Sequence, residues 1–143
     1  MTQEEKQVLL KDLCARLPYG VVVNYNGLAR PLFSVAPTQH FQITLDNALD
    51  GKHNGLAYVS LDVDGEEPKP YLRPMSSMTE EERNLIRKYC DEHDRLIYDI
   101  GVSGQAHSKN IVDWLNAHHF DYRNLIEKGL AIEVTENNNP YKE

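Results

Sequence analysis

The sequence predicts an α+β fold: an N-terminal helix, a small bent antiparallel sheet or barrel, and a helical C-terminal half with a short final strand. Three observations carry this. Leu9, Leu10, Leu13, Cys14 and Leu17 recur at three- and four-residue spacing, the signature of one helix face. Short β-rich runs separated by turn signals fill the stretch from Tyr19 to Met75, and helical periodicity returns after Thr79. The 143 residues amount to a single domain's length. The expected layout is helix over 3–17, β-rich over 19–75, mostly helical over 79–134, and a loose tail, TENNNPYKE, over 135–143.

Thr2 and Glu5 stand at capping-box spacing, so each can satisfy the other's free backbone N–H, and Pro18 ends the helix they open. GVVVNY, PLFSV, HFQITL and LAYVSLDV read as strands. Between them lie Asn-Gly, the polar NALDGKHNG and Asp-Gly, and the proline-punctuated EEPKPYLRP follows. A second capping box, Thr79 with Glu82, starts a helix that puts Leu85, Ile86, Tyr89, Cys90 and His93 on one side. RLIYDIGVSGQ reads as a strand entering a glycine-rich turn. Ser108 can cap a third helix, with Ile111, Val112, Leu115 and His118 or His119 turned inward.

The run WLNAHHFDYRNLIEKGLAIEV, from Trp114 to Val134, is built to fold tightly. Asp121 is placed to cap a short helix over Tyr122 to Lys128, Phe120 and Leu125 to form a hydrophobic staple, and Gly129 to stop the helix in a left-handed conformation. LAIEV then alternates as a last strand.

Charge narrows the partners. Fifteen Lys and Arg against 22 Asp and Glu give a net charge of −7, which repels nucleic acid unless cations cluster. The richest stretch, KPYLR, sets Lys69 and Arg73 beside Glu66 and Glu67. Cys14 and Cys90 fall on apolar helix positions outside any CxxC, consistent with buried free thiols in a reducing cytosol. MTQEEKQVLL carries acids where a signal peptide needs a basic start, and no window is long and apolar enough for a bilayer, so a cytoplasmic protein is expected.

Three blocks carry a likeness: LLKDLCARLPYGVVV near the start, KPYLRPMSSMTEEE in the middle and DWLNAHHFDYRNLIEKGLAIE near the end. In that order they resemble a family of small proteins of gut bacterial genomes and their prophages for which no activity is known. The resemblance implies a phage or mobile-element setting and transfers no catalytic residue.

The residues with chemical potential fit structural roles. Cys90 and His93 form a CxxH that His118 and His119 could complete as a zinc site, but adjacent histidines diverge on a helix, so no metal is expected. His118, His119, Asp121, Tyr122 and Arg123 could serve acid–base or phosphate chemistry, yet Asp121 as a cap already occupies the free N–H groups and leaves Arg123 facing solvent. Asp62, Asp64 and Gly65 resemble the start of a calcium loop without its later ligands, which leaves a turn. No nucleophile, dinucleotide or phosphate-loop motif occurs, so neither catalytic residues nor a cofactor are expected. Tyr25, Phe33, Phe41, Tyr58 and Tyr71 interleave with Arg30, Lys69 and Arg73 and could floor a ligand groove.

The expected function is therefore a non-enzymatic binding module of a prophage or mobile element, acting on a host protein or sequestering a small ligand. Tyr71, Arg73, His119 and Arg123 are its candidate binding residues. The alternative is a small enzyme with a His-based or zinc site in a cleft between the β-rich and helical parts. Neither nucleic acid nor a membrane is an expected partner. In gel-shift titrations at physiological salt, the protein should leave duplex DNA unbound, and micromolar binding that survives added salt would refute the charge argument.

Overall fold

The capping box forms as its spacing dictates. In the computed structural model Thr2 N–H donates to Glu5 Oε1 at 3.0 Å and Glu5 N–H to Thr2 Oγ1 at 3.1 Å, and helix α1 runs over Gln3–Arg16. The structure describes residues 1–36, 41–63, 67–88 and 105–141. Leu9, Leu10 and Leu13 face the core, but Cys14 is exposed. The expected buried thiol is corrected because Asp12 and Arg16, both fully buried, complete the inward stripe with Leu9 and Leu13. Position 14 lies about 100° around the helix from Leu13.

The β-rich stretch forms β1 (Val22–Tyr25), β2 (Leu28–Ala36), β3 (Gln42–Leu45), β4 (Ala57–Ser60) and β5 (Lys69–Pro74). Asn26 and Gly27, with φ of 54° and 78°, connect β1 to β2 with Tyr25 opposite Leu28, the two-residue turn that Asn-Gly favours because both positions need positive φ. A register shift between Leu32 and Ser34 makes a bulge at Phe33.

Two short strands, β6 (Phe120–Asp121) and β7 (Ile132–Glu133), join β5 in parallel. The strand order is β4-β3-β2-β1-β5-β6, with β7 also on β5. The sheet is thus mixed and largely open: within the stretch expected to form a small bent antiparallel sheet or barrel every pairing is antiparallel, and the two parallel pairs come from the later strands β6 and β7. The parallel pairs arise because the chain crosses over before returning to β5. Arg73 N–H donates to His119 C=O at 2.7 Å, and Leu72 C=O accepts from Val134 N–H at 2.8 Å. These two β5 groups belong to one trans peptide and point opposite ways, so β6 and β7 lie on opposite edges of β5.

Helical residues 80–88, called α2, follow the second capping box, in which Thr79 N–H donates to Glu82 Oε1 and Glu82 N–H to Thr79 Oγ1. Leu85, expected on the inward side, is 59% exposed. Helix α3 spans Gln105–Ala117, so Ser108 falls inside it and does not cap it. The expected strand in RLIYDIGVSGQ, and Asp64, Gly65, Tyr89, Cys90 and His93, lie outside the described residues.

The short helix expected over Tyr122 to Lys128 is instead a single turn. Asn124 adopts a left-handed φ of 60°, which no right-handed helix can run through. The caps survive the loss. Asp121 accepts from Leu125 N–H and Ile126 N–H, each at 2.9 Å. Leu130 N–H reaches Leu125 C=O and Gly129 N–H reaches Ile126 C=O around Gly129 at φ 76°, the pairing of a Schellman stop.

Leu125 and Leu130 enter the main core with Leu9, Leu13, Val21, Val23, Ile43, Leu45, Val59, Leu61 and Leu72. Leu115 is buried outside that cluster, and Trp114 is only half-buried. Phe120 is buried beside Trp114 and Arg73, not in the cluster that holds Leu125. Because Leu125 is 0% exposed, Leu125→Ala should cost about 2–5 kcal/mol in urea unfolding. A loss under about 1 kcal/mol would show that the turn does not depend on its core contact.

Candidate functional site

One polar assembly connects α1, β5, the 118–126 turn and the C-terminal segment. At its centre Asp12 and Arg16 are both fully buried, with Arg16 Nε donating to Asp12 Oδ2 at 2.7 Å. Arg123 Nη1 donates to Asp12 Oδ1, also at 2.7 Å, so one carboxylate bridges two guanidinium groups. Arg16 Nη2 donates to Phe120 C=O at 2.6 Å, tying α1 to β6. Tyr122 packs under both cations, with its ring centroid 4.5 Å from Arg123 and 5.3 Å from Arg16, and its hydroxyl donates to buried Asn116 Oδ1 at 2.9 Å.

A third cation lies over the ring of Phe120. The Arg73 guanidinium lies 4.0 Å from the Phe120 centroid and makes a two-pronged pair with Glu82 at 2.8 and 3.0 Å. Those hydrogen bonds hold the Glu82 carboxyl down to about 2. His118 stacks on Trp114 at 4.1 Å, and burial lowers its pKa.

His119 sits at φ 63° and stacks flat on Tyr141, with centroids 3.7 Å apart. Burial, followed by Arg16, His118 and Arg73, lowers its pKa to about 4, so the ring is neutral at ordinary pH. Tyr141 in turn fills a gap in the sheet. Its hydroxyl accepts from Val22 N–H at 3.0 Å on β1 and donates to Tyr71 C=O at 2.7 Å on β5. Burial pushes the phenol pKa well up, so it stays protonated and able to donate.

The four candidate binding residues are therefore brought together, but through structural bonds. Tyr71 offers its carbonyl to Tyr141, and its hydroxyl accepts from Asn24 Nδ2 at 2.8 Å. Arg73 is occupied by Glu82, and Arg123, expected to face solvent, is corrected to a side chain 20% exposed and bound to Asp12. The expected aromatic groove divides: Tyr25 and Phe41 pack against the core, whereas Phe33 and Tyr58 are exposed. Arg30 clamps the β3–β4 connection by donating to Asp46 C=O and Gly55 C=O.

Sequence reasoning missed Asp12, Arg16, Asn116 and Tyr141. A signal for the first two existed, since an acid and a base four residues apart interrupt the apolar stripe of Leu9 and Leu13. Nothing in the local sequence marks Tyr141.

Among the described residues no three His, Cys, Asp or Glu side chains come together as a metal-binding group. Cys14 is exposed, and desolvation raises its thiol pKa, the opposite of nucleophile activation. A hollow of about 170 Å³, lined in part by Glu5, Glu67, Lys69 and Lys128, is smaller than ordinary ligand cavities. No family model, curated protein or solved structure matches the chain.

Replacing Asp12 with Ala strands the buried Arg16 charge and should cost about 3–5 kcal/mol. Arg123→Ala should cost clearly less, because Asp12 keeps Arg16 and Arg123 is partly solvated. Paired urea titrations test this, and equal losses would overturn the ranking.

Proposed function

We propose that the chain is a non-enzymatic binding module that takes an extended segment of a partner protein on the outer half of its sheet. The observation that carries this reading is the exposure of two aromatics there, Phe33 at 56% and Tyr58 at 77%. Register sets them side by side. Ser34 pairs with Thr44 and Thr44 with Tyr58, and Phe33 occupies the bulge next to Ser34, so the two rings flank Thr44 across about 10 Å. Leu49, Leu56 and Val63, on the segments flanking β4, are also exposed.

The backbone supports the same reading. Among the described residues β4 has a strand neighbour only on its β3 side. Leu61 N–H donates to Phe41 C=O, and alternation along the strand then turns the Tyr58 N–H and C=O away from β3. Among the described residues no strand pairs with that donor and acceptor, and such an edge beside exposed rings is what strand addition requires. The acidic balance of the chain favours a neutral or basic segment.

By contrast, the charged groups of the Asp12 assembly are bound to one another, which supports binding over acid–base chemistry. The prophage setting, a host protein as partner and a cytoplasmic location remain parts of this proposal.

Tyr58→Lys places a charge on the edge and should abolish pairing while leaving the fold intact. Cross-linking from position 58 in the native cell, with the wild-type and the lysine variant compared in pull-down, reads this out. Loss of the captured partner in the variant is expected. Equal capture by both would place the binding surface elsewhere.

A further inference from the structure

The segment after β7 is expected from its composition to be loose, yet it is folded back and anchored. Asn138 Nδ2 donates to Glu133 C=O at 3.1 Å, Tyr141 N–H donates to Asn139 Oδ1 at 2.9 Å, and Val134 is pinned to Leu72. These bonds aim Tyr141 at the β1–β5 boundary. The ladder there pairs Asn24 with Lys69 and Val23 with Pro70. At the next position the Tyr141 hydroxyl stands between Val22 N–H and Tyr71 C=O. A side chain thus replaces a ladder hydrogen bond, and a residue from beyond β7 closes the sheet at this point.

We propose that residues 134–141 form an acid-released strap: Tyr141 plugs the β1–β5 gap while the His119 ring against it is neutral, and protonation of that ring undocks it. The groups around His119 favour neutrality from every side. Arg16 approaches from α1, Arg73 from β5 and His118 from the adjoining position, and Tyr141 covers the ring face. Glu82 acts on His118, and Asp12 is taken up by Arg16 and Arg123. Buried Nδ1 of His119 has no hydrogen-bond partner among the described residues, so a proton there would find no acceptor.

The sign of the pH dependence follows. His119 is lowered from 6.5 to about 4 in the docked state, and release of the covering ring returns it toward its ordinary value. Docking is then fully favoured above pH 6.5 and weakens progressively as pH falls toward 4. Allowing for the partial exposure of the ring, the undocked fraction should rise on the order of tenfold between pH 7 and pH 5.

Val22 N–H reports docking directly, because its bond is to Tyr141. Amide exchange by NMR on the full chain, corrected for intrinsic rates, should show Val22 protection falling on the order of tenfold from pH 7 to pH 5 while Ile43 in β3 keeps its protection. Tyr141→Phe should leave Val22 weakly protected at both pH values, and His119→Asn, which tolerates the left-handed backbone, should remove the pH dependence. Should the His119 variant fail to fold, the wild-type imidazole titration serves instead, with a midpoint well below 6.5 expected. Val22 protection that is constant with pH, that falls together with Ile43, or that keeps its pH dependence in His119→Asn would overturn the proposal, as would an imidazole midpoint near 6.5.

Discussion

A guanidinium that water does not reach must find its hydrogen bonds inside the protein, because an uncompensated buried charge costs several kcal/mol. Arg16 meets that demand at Nε and Nη2, through Asp12 on its own helix and the Phe120 carbonyl more than a hundred residues away, while its buried Nη1 has no partner among the described residues. The architecture follows from this constraint. To bring that carbonyl to Arg16, the chain must leave α3, turn at His119 and lay Phe120–Asp121 along β5. The same turn delivers Arg123 to the second oxygen of Asp12. One carboxylate and one buried cation thereby fix the approach of the C-terminal half to the N-terminal helix.

Strand β5 is the second organising element. It meets β1 early in its length, β7 in its middle and β6 at its end. The two parallel partners are only two residues long. So few ladder bonds cannot hold a strand unaided; side chains supply the remainder. Arg73 covers Phe120, Asp121 caps the following turn, and Tyr141 bridges to β1. Polar side chains here do work usually done by longer strands, and this explains why residues suggestive of catalysis turn out to be bound to one another.

This division of labour separates two ends of the sheet. Around β5, most donors and acceptors are paired, His119 Nδ1 and Arg16 Nη1 excepted among the described residues, and the aromatic rings are stacked. Around β4, Tyr58 and Phe33 are exposed and a strand edge lacks a neighbour among the described residues. An exposed edge with aromatic flanks is a hazard that folded proteins commonly suppress with charge or a bulge. Phe33 sits in a bulge, but β4 itself, Ala57–Ser60, carries no charged residue. A partner segment would remove the hazard and give the exposed rings a role.

Features set by a few neighbouring residues could be read from the sequence. Both capping boxes, the Asn26–Gly27 turn, the antiparallel run from β1 to β4 and the Gly129 stop are local, and backbone sterics and nearby hydrogen bonds are enough to determine them. Even within the Trp114–Val134 run the residue types were legible while their geometry was not: Asp121 caps as expected, but a left-handed Asn124 reduces the helix to one turn. Tertiary structure alone decided the parallel pairing on β5, the burial of Arg16, the sharing of Asp12 with Arg123 and the docking of Tyr141. The bonds of Arg16 to Phe120, Arg123 to Asp12 and Tyr141 to Val22 join residues 104 to 119 positions apart, and no local pattern encodes which distant carbonyl or carboxylate will satisfy a buried cation or hydroxyl. That choice is made by packing, when core burial brings the partners together and the cost of an unpaired polar group excludes the alternatives.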